Sequence, residues 1–308
     1  MKNNEIGFTQ MVSVGCGIDV HQQKIVASIR KGNNYVETRE FEAYTSSLIS
    51  LREWCKAECV THIAMESTGV YWKPVFNILE EYFEVILVNA RHVKNVPGHK
   101  TDKKDSRWLS KLLLSGLLKG SFIPPRDIRE LRDLVRYRKK VVGQIASEKN
   151  RIIKILEDAN IKLSSVLSNI DGAVGTKIIN DLINGESSVD QLMRHYHGKQ
   201  KSSKEEFRKA LEGRITDHHK LMLRIHKDSI SVKESQLRSL DESIDKATSS
   251  YQVEIELLQT IPGIGKDSAI SIISETGTDM SRFPDETHLS SWAGMSPGNC
   301  ETGGKKKA

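Results

Sequence analysis

Residues 11–42 read MVSVGCGIDVHQQKIVASIRKGNNYVETREFE, and this stretch decides the fold of the front of the chain. Residues 11–20 are apolar and rich in β-branched side chains, and residues 24–31 have a similar character. Gly32 and two asparagines mark a turn before a third run, residues 35–42. Short runs of this kind, separated by turn residues, are typical of strands. The stretch therefore predicts an antiparallel three-stranded meander.

Alternating helical and strand-like patterns follow the meander. The spacing is helical in residues 46–57, in 70–82 and from Thr101 to about Leu118, and it is strand-like in 61–67 and 83–90. The resulting order, βββαβαβα, predicts an α/β domain in which helices cover a mixed sheet.

Beyond Pro124-Pro125 the pattern changes to long helices. Residues 126–160 carry an apolar seam that consists of Ile128, Leu131, Val135, Val142, Ile145, Ile152 and Leu156. Residues 204–246 carry a second seam that consists of Leu211, Ile215, Met222, Ile225, Val232 and Leu240. The two could pair within one chain or between chains as a coiled coil. A compact all-helical domain is predicted from Tyr251. The predicted domains are therefore 1–125, 126–250 and 251–308, and residues 165–203 show no readable pattern.

Composition limits the class of protein. The 308 residues contain 46 Lys and Arg against 40 Asp and Glu, and the net charge of +6 suits a polyanionic partner. The four cysteines show no paired spacing, which favours reduced thiols and a cytoplasmic protein. The N-terminal residues MKNNEIGFTQ lack the apolar core of a signal peptide, and no apolar run is long enough to span a bilayer. We therefore expect no membrane association.

Four carboxylates occupy strand ends or the start of a helix. Asp19 and Glu66 end apolar strands, where a charge is costly unless it is paired or functional. Asp102 and Asp105 stand three apart near the start of a helix, with Thr101 as its expected N-cap, so they share one helix face. Flanking lysines could neutralise that pair on a solvated surface, or a divalent metal could bind it. Ligands that are all oxygen suit Mg²⁺, which can neutralise and align a phosphate.

The sequence LLQTIPGIGKDSAISIISETG, residues 257–277, forms a second motif. Gly263 and Gly265 allow a tight turn between two helices, and Ala269, Ile270 and Ile273 are expected to face inward. The backbone N–H groups of such a turn can hold a phosphate, and Lys266 adds positive charge there. The motif is read as a helix-hairpin-helix, and the alternative is an ordinary helical corner.

The front half contains three distinctive blocks, GIDVHQQKIVASI (17–29), MESTGVYW (65–72) and NARHVKNVPGHKTDKKDSRWLSKLL (89–113). Together they resemble the DEDD-type transposases of the insertion-sequence family numbered one hundred and ten. That family includes an eleven-eleven subgroup and the pilin-gene invertase. The resemblance implies a RuvC-like, ribonuclease-H-like fold for the front domain. It also assigns Asp19, Glu66, Asp102 and Asp105 as catalytic ligands of Mg²⁺, with Mn²⁺ as an alternative.

The C-terminal block, HLSSWAGMSPGNCETGGKKKA (288–308), is similar to the family's second domain, which also carries the hairpin. In the family a serine in this block attacks the DNA phosphate and becomes covalently linked to it. Thr302 occupies that position here, and Ser296 is the less favoured alternative. Family members continue beyond this block, so the resemblance implies an element cut short at its C-terminus, or a fragment.

The resemblance also implies partners: double-stranded DNA, a structured non-coding guide RNA (the bridge RNA), and further copies of the chain in a homodimer or homotetramer. Acids of one subunit would then meet the nucleophile of another. The basic run from residue 129 to 140 could contact RNA or could be a solvated helix face. The predicted nucleic-acid-binding residues are Lys100, Lys103, Lys104, Arg107, Arg132, Arg136, Lys139, Lys140, Gly263, Gly265, Lys266 and Lys305.

Three functions are consistent with these residues. The first is a DNA transposase or site-specific recombinase that uses a hydroxyl nucleophile. The second is a metal-dependent endonuclease of the junction-resolvase type, in which water attacks the phosphate and no covalent intermediate forms. The third is a non-catalytic nucleic-acid-binding remnant whose carboxylates still bind Mg²⁺.

Overall fold

A computed structural model describes residues 12–32, 35–67, 69–89, 102–198, 202–295, 301–302 and 305–306, and at 102–104, 301–302 and 305–306 it describes the backbone alone. The chain divides into two compact units, residues 1–123 and residues 124–308. Each is considered by itself below. Within the described ranges, every helix is too short or too polar to cross a membrane.

The first unit contains a five-stranded mixed sheet. The strands are β1 (Val14–Val20), β2 (Lys24–Lys31), β3 (Tyr35–Glu42), β4 (His62–Glu66) and β5 (Glu84–Val88). Their order across the sheet is β3-β2-β1-β4-β5. The first three strands are antiparallel, as the meander predicted, whereas β4 and β5 run parallel to β1.

In the described residues, three helices cover this sheet: α1 (Thr45–Ala57), α2 (Trp72–Leu79) and α3 (Asp102–Leu114). The predicted order βββαβαβα is therefore confirmed in the described residues. Cys16, Ile18 and Val20 of β1 belong to a core that also includes side chains of α1 and α2. Residues that alternate with these point to the other face of the sheet, against which α3 packs. The central strand β1 is thus buried on both faces, whereas the edge strand β3 is partly exposed.

Helix α3 ends four residues earlier than predicted. The prediction placed its end near Leu118, but the helix stops at Leu114. Gly116 adopts a φ of 68°, a left-handed conformation that no helix continues through, and Leu117 N–H donates to Leu112 O at 3.1 Å. The glycine therefore ends the helix even though the apolar pattern continues.

The second unit is helical. Its helices up to the hairpin are α4 (Arg126–Asp158), α5 (Leu163–Val166), α6 (Ala173–Ile183), α7 (Val189–Leu192), α8 (Lys204–Ala210) and α9 (Asp217–Ala247). Helices α4 and α9 pack along each other within the chain. The unreadable segment 165–203 contains α6 and α7, whose buried Ile178, Leu182 and Leu192 form an apolar cluster with the end of α4.

The second long helix was predicted wrongly as one element from 204 to 246. It is two helices, α8 and α9, with a break between them. Gly213 lies in the break, where a Cβ would come within 2.5 Å of Ala159 O, so the chain approaches the end of α4 too closely for any other residue. Thr216 then caps α9 by accepting from the His219 N–H. Tertiary contact and a new cap therefore override the continuous apolar pattern.

The predicted seams are also partly wrong. Val141 is buried and Val142 is exposed. On α9 Leu223 and Ile244 are buried, whereas Ile225 and Val232 are exposed. The predicted seams followed a seven-residue repeat. A straight helix with 3.6 residues per turn drifts by about 20° per heptad against that repeat, so the buried stripe moves to neighbouring positions.

The rest of the second unit includes α10 (Gln252–Gln259), α11 (Lys266–Thr276) and α12 (Glu286–Trp292). Ala269, Ile270 and Ile273 of α11 are buried, as predicted, in a cluster with Ile128 and Leu131 of α4. Two short strands, β6 (Glu301–Thr302) and β7 (Lys305–Lys306), pair in antiparallel fashion, with Thr302 opposite Lys305.

Candidate functional site

The carboxyl ends of two parallel strands carry the first two predicted acids. Ile18 of β1 lies opposite Met65 of β4, so the register continued by one residue brings Asp19 level with Glu66. Ile18 and Met65 both point into the core, and alternation therefore directs Asp19 and Glu66 to the other face. The two acids thus share one edge and one face of the sheet.

The helix on that face approaches β1 unusually closely. A Cβ on Gly17 would lie 2.2 Å from Ser106 O and 2.4 Å from Ser110 N, both of which are backbone atoms of α3. A Cβ on Gly15 would instead meet the side chains of Leu113 and Leu114. Since the earlier strand residue faces the later helix residues, α3 runs antiparallel to β1. Its N-terminal turn points toward Asp19.

The rise per residue of a strand and of a helix shows where Asp102 and Asp105 lie relative to Asp19 along the direction of β1. From Gly17 to Asp19 the strand advances about 7 Å, a distance that the helix covers in four to five residues. Counted back from the middle of the segment Ser106–Ser110, this brings the first turn of α3 level with Asp19. That turn carries Asp102 and Asp105. The backbone therefore collects all four predicted acids at one end of the first unit.

A chain of hydroxyl groups fixes α3 against the sheet. The Oγ atoms of Ser28 and Ser106, both fully buried, lie 2.8 Å apart, and Ser28 Oγ is also 2.8 Å from Thr38 Oγ1. Arg107 Nε donates to Thr38 Oγ1 at 2.9 Å. These bonds link α3 to β2 and β3 directly beside Asp105. They oppose sliding or rotation of the turn that carries the acids.

The donor set of this site fits a hard divalent cation. Asp19 is only 7% exposed, and its Oδ2 lies 3.0 Å from His21 Nε2, while Glu66 and Asp105 are half-buried. Carboxylate oxygens are the ligands that Mg²⁺ and Mn²⁺ prefer. Among the described side chains, no three or more His, Cys, Asp or Glu form a metal-binding group. The side chain of Asp102 lies outside that set, so the four-acid centre stays a prediction.

Two of the predicted nucleic-acid-binding arginines make contacts within the second unit. Arg132, whose side chain is 17% exposed, donates to Ser274 O at 3.0 Å and to Glu275 O at 2.7 Å, the last carbonyls of α11. Arg136 forms two 2.7 Å bonds to the Glu275 carboxylate, and this carboxylate raises the pKa of the guanidinium. Both arginines therefore attach α11 to α4.

The other predicted basic residues have different surroundings. Lys139 and Lys140 are exposed on α4. At the hairpin, Gly263 has a φ of 88° and Gly265 caps α11 in extended conformation, while Lys266 Nζ donates to Asp245 at 2.7 Å. Lys100, Ser296 and the side chains of Lys103, Lys104, Thr302 and Lys305 lie outside the described residues.

Sequence reasoning missed Gly17, Ser28 and Ser106 as parts of the site. Gly17 could have been recognised from the sequence, because a glycine inside an apolar strand often marks the close approach of another backbone. The serines carried no such signal, since a hydroxyl pair between distant segments appears only once the helix is in place.

Comparison with known families gives two matches. Residues 16–161 match the DEDD transposase model of the IS110 type, and residues 255–308 match a model described as transposase of the IS116/IS110/IS902 family. Together they cover about two thirds of the chain. No curated protein matches the chain. Both matches support a DNA transposase or recombinase function. Two regions of the chain, one in its front half and one at its C-terminal end, are therefore similar to IS110-family transposase domains.

Proposed function

We propose that this chain cleaves and rejoins DNA strands as a transposase or recombinase, with Asp19, Glu66, Asp102 and Asp105 gathered around Mg²⁺ or Mn²⁺. The observation that carries the proposal is the contact of Gly17 with the α3 backbone. This contact directs the first turn of α3 to the strand ends that carry Asp19 and Glu66. Acids from two strands and one helix then converge, although they are far apart in sequence.

The sheet supports a RuvC-like, ribonuclease-H-like assignment for the first unit. Its order is β3-β2-β1-β4-β5, with an antiparallel meander followed by two strands parallel to β1. This arrangement agrees with the fold that the sequence resemblance implies. We keep the three-domain division, with a hairpin domain from residue 251, as part of the proposal.

In this proposal the four acids reach the cation site from three different elements. Asp19 is held in a buried position by its strand and by His21, so its carboxylate is fixed before any ligand arrives. Glu66 adds a second carboxylate from the neighbouring strand, and Asp102 and Asp105 add two from α3. Carboxylates gathered in this way would repel one another and attract a cation. A bound divalent cation would supply charge stabilisation for the phosphate that reacts.

Thr302 is the proposed nucleophile. Its hydroxyl oxygen would form a bond to the DNA phosphorus while the bond from phosphorus to the leaving nucleotide oxygen breaks. The hydroxyl proton passes to a base, and the leaving oxygen takes up a proton. The backbone of Thr302 pairs with that of Lys305, which places a cationic residue beside it in the β6–β7 ladder. The resemblance and this pairing support the assignment.

A denaturing gel that detects protein-linked DNA tests the proposal. The full chain is incubated with the flanking DNA of its own element, the adjacent non-coding RNA and Mg²⁺. We expect a covalent adduct that Thr302→Ala abolishes and that Thr302→Ser retains or increases, because serine lacks the methyl group that crowds the phosphorus. Thr287→Ala, on α12, is the matched control and leaves the adduct unchanged.

The alternatives give different products in the same experiment. Cleaved DNA without bound protein, unaffected by Thr302→Ala, would identify a metal-dependent endonuclease. Binding without cleavage would identify a non-catalytic remnant. The proposal also includes the partners that the resemblance implies, namely duplex DNA, a structured guide RNA and a homodimer or homotetramer in the cytoplasm. Omitting the RNA from the incubation tests the guide.

A further inference from the structure

Arg30 of β2 has unusual surroundings for an arginine. It is half-buried, and its Nε is buried without a hydrogen-bond partner among the described residues. Two other arginines of the first unit pair with acids: Arg39 with Glu37 and Arg52 with Glu53, each at 2.7 Å. No carboxylate in the described part of the chain pairs with Arg30. A buried donor left in this way costs free energy unless a ligand satisfies it.

A second arginine, Arg107, lies on the same side of the sheet. Arg30 shares a face of β2 with Ser28, and Arg107 of α3 reaches that same area through its bond to Thr38. Burial lowers the pKa of the Arg30 guanidinium, and the positive charge of Arg107 lowers it further. In the described residues, Arg107 pairs with no carboxylate either. Two guanidinium groups that repel each other therefore lie on the side of the sheet that α3 covers.

A bound anion would offset the repulsion between the Arg30 and Arg107 guanidinium groups. Two like charges that are partly removed from water repel each other, and an anion between them replaces repulsion with attraction. The planar, forked donors of arginine match phosphate oxygens well. Lys111 lies one helical turn after Arg107 and extends the positive charge along α3. Phosphate, in particular, accepts several hydrogen bonds at once.

We infer that Arg30 and Arg107 together bind a backbone phosphate of a nucleic acid, as an anchoring site next to the four acids. The inference rests on the proposed function. Arg30 lies opposite Gly15, four residues before Asp19 on β1, which is about 13 Å along the strand. The phosphate held there would consequently belong to the same nucleic-acid segment as the phosphate that reacts, a few nucleotides away. Arg107 is among the residues that the sequence predicts to bind nucleic acid, whereas Arg30 is assigned this role here for the first time.

Binding of short probes by the full chain in EDTA tests this inference. The probes are a DNA duplex and a folded RNA hairpin, each titrated over a series of salt concentrations. We expect Arg30→Gln to weaken binding of at least one probe by about tenfold. We also expect the slope of log affinity against log salt to fall by about one. Arg107→Gln has a similar effect, and the double variant loses less than the product of the two, because both side chains hold one phosphate.

Arg52→Gln is the matched control, since it removes the same charge from α1 on the opposite face of the sheet. It leaves probe binding unchanged. Without a nucleic-acid probe, the melting temperature of Arg30→Gln is expected to stay the same or rise, because the repulsion between Arg30 and Arg107 is removed. A lower melting temperature with unchanged binding would give Arg30 a structural role and overturn the inference.

The two probes identify the source of the phosphate. Weaker binding of the duplex assigns it to DNA, weaker binding of the hairpin alone assigns it to RNA, and unchanged binding of both rejects the site. EDTA removes divalent cations, so the result does not depend on catalysis. Loss of the proposed cleavage activity would leave this measurement standing, and the reverse also holds.

Discussion

Asp19→Asn is expected to slow DNA strand cleavage by about three orders of magnitude or more, because in the proposed site it would remove a metal ligand, and a bound metal can supply several kcal/mol of transition-state stabilisation. The substitution preserves the size of the side chain and can keep the contact with His21. It also removes one of the four negative charges that the proposal brings together. We therefore expect the melting temperature in EDTA to stay the same or rise. Single-turnover cleavage at saturating Mg²⁺ measures the rate.

The matched control for Asp19→Asn is Glu84→Gln. Glu84 belongs to the same sheet but lies at the start of β5, where its carboxylate is 3.0 Å from His62. The end of the sheet that carries Glu84 is opposite to the end that carries Asp19 and Glu66. Cleavage by Glu84→Gln should match that of the original chain. An Asp19→Asn rate within tenfold of the original would contradict the assignment of Asp19.

Gly17→Ala is expected to lower cleavage by at least about a hundredfold and to destabilise the first unit by about 1–3 kcal/mol. The new methyl group would collide with two backbone atoms of α3 at 2.2 and 2.4 Å, and no rotamer change can relieve that contact. The helix must move away from β1. Its first turn, with Asp102 and Asp105, then moves away from Asp19. Urea unfolding and single-turnover cleavage measure the two effects.

Two other glycine-to-alanine variants show whether the effect of Gly17→Ala depends on its contact with α3 or follows any such substitution. Gly15→Ala meets only the flexible ends of Leu113 and Leu114, further from the acids, so its effects should be smaller. Gly143→Ala lies within α4 where a Cβ meets nothing within 4 Å, and it should stabilise the second unit by about 0.5–1 kcal/mol. If Gly17→Ala folded and cleaved like Gly143→Ala, the close helix contact would have no role.

The order of elements in the first unit could be predicted from the sequence because each strand and helix has its own periodicity. The meander of residues 11–42 is the clearest case, since turn residues separate its runs. The level of Asp19 relative to Glu66 could not be predicted, because the register between β1 and β4 depends on packing of both faces of the sheet. The acids could be proposed as a group, but their alignment came from the structure.

Helix ends and helix breaks were less predictable. The apolar pattern continues past Leu114 and through residues 211–216, yet Gly116 and Gly213 end or interrupt the helices there. Gly213 is needed only because the end of α4 lies against it. Such a requirement depends on a contact between segments far apart in the chain, and no local pattern reports it.

The partners of charged side chains could not be predicted either, as the basic residues of α4 show. Arg132 and Arg136 look like solvent-exposed or nucleic-acid-binding residues, because their acidic partner, Glu275, is distant in sequence. Arg30 looked unremarkable for the converse reason. A single arginine near the end of a strand gives no sign that a second arginine will stand beside it without an acid between them.

Titration of the full chain with Mn²⁺, followed by electron paramagnetic resonance of the free ion, tests the shared metal site most directly. We predict saturable binding by the original chain and by Glu84→Gln, and at least about tenfold weaker binding by Asp19→Asn and by Asp105→Asn, since each removes one charged ligand. Equal Mn²⁺ affinity in all four proteins would contradict a metal centre built jointly from β1, β4 and α3.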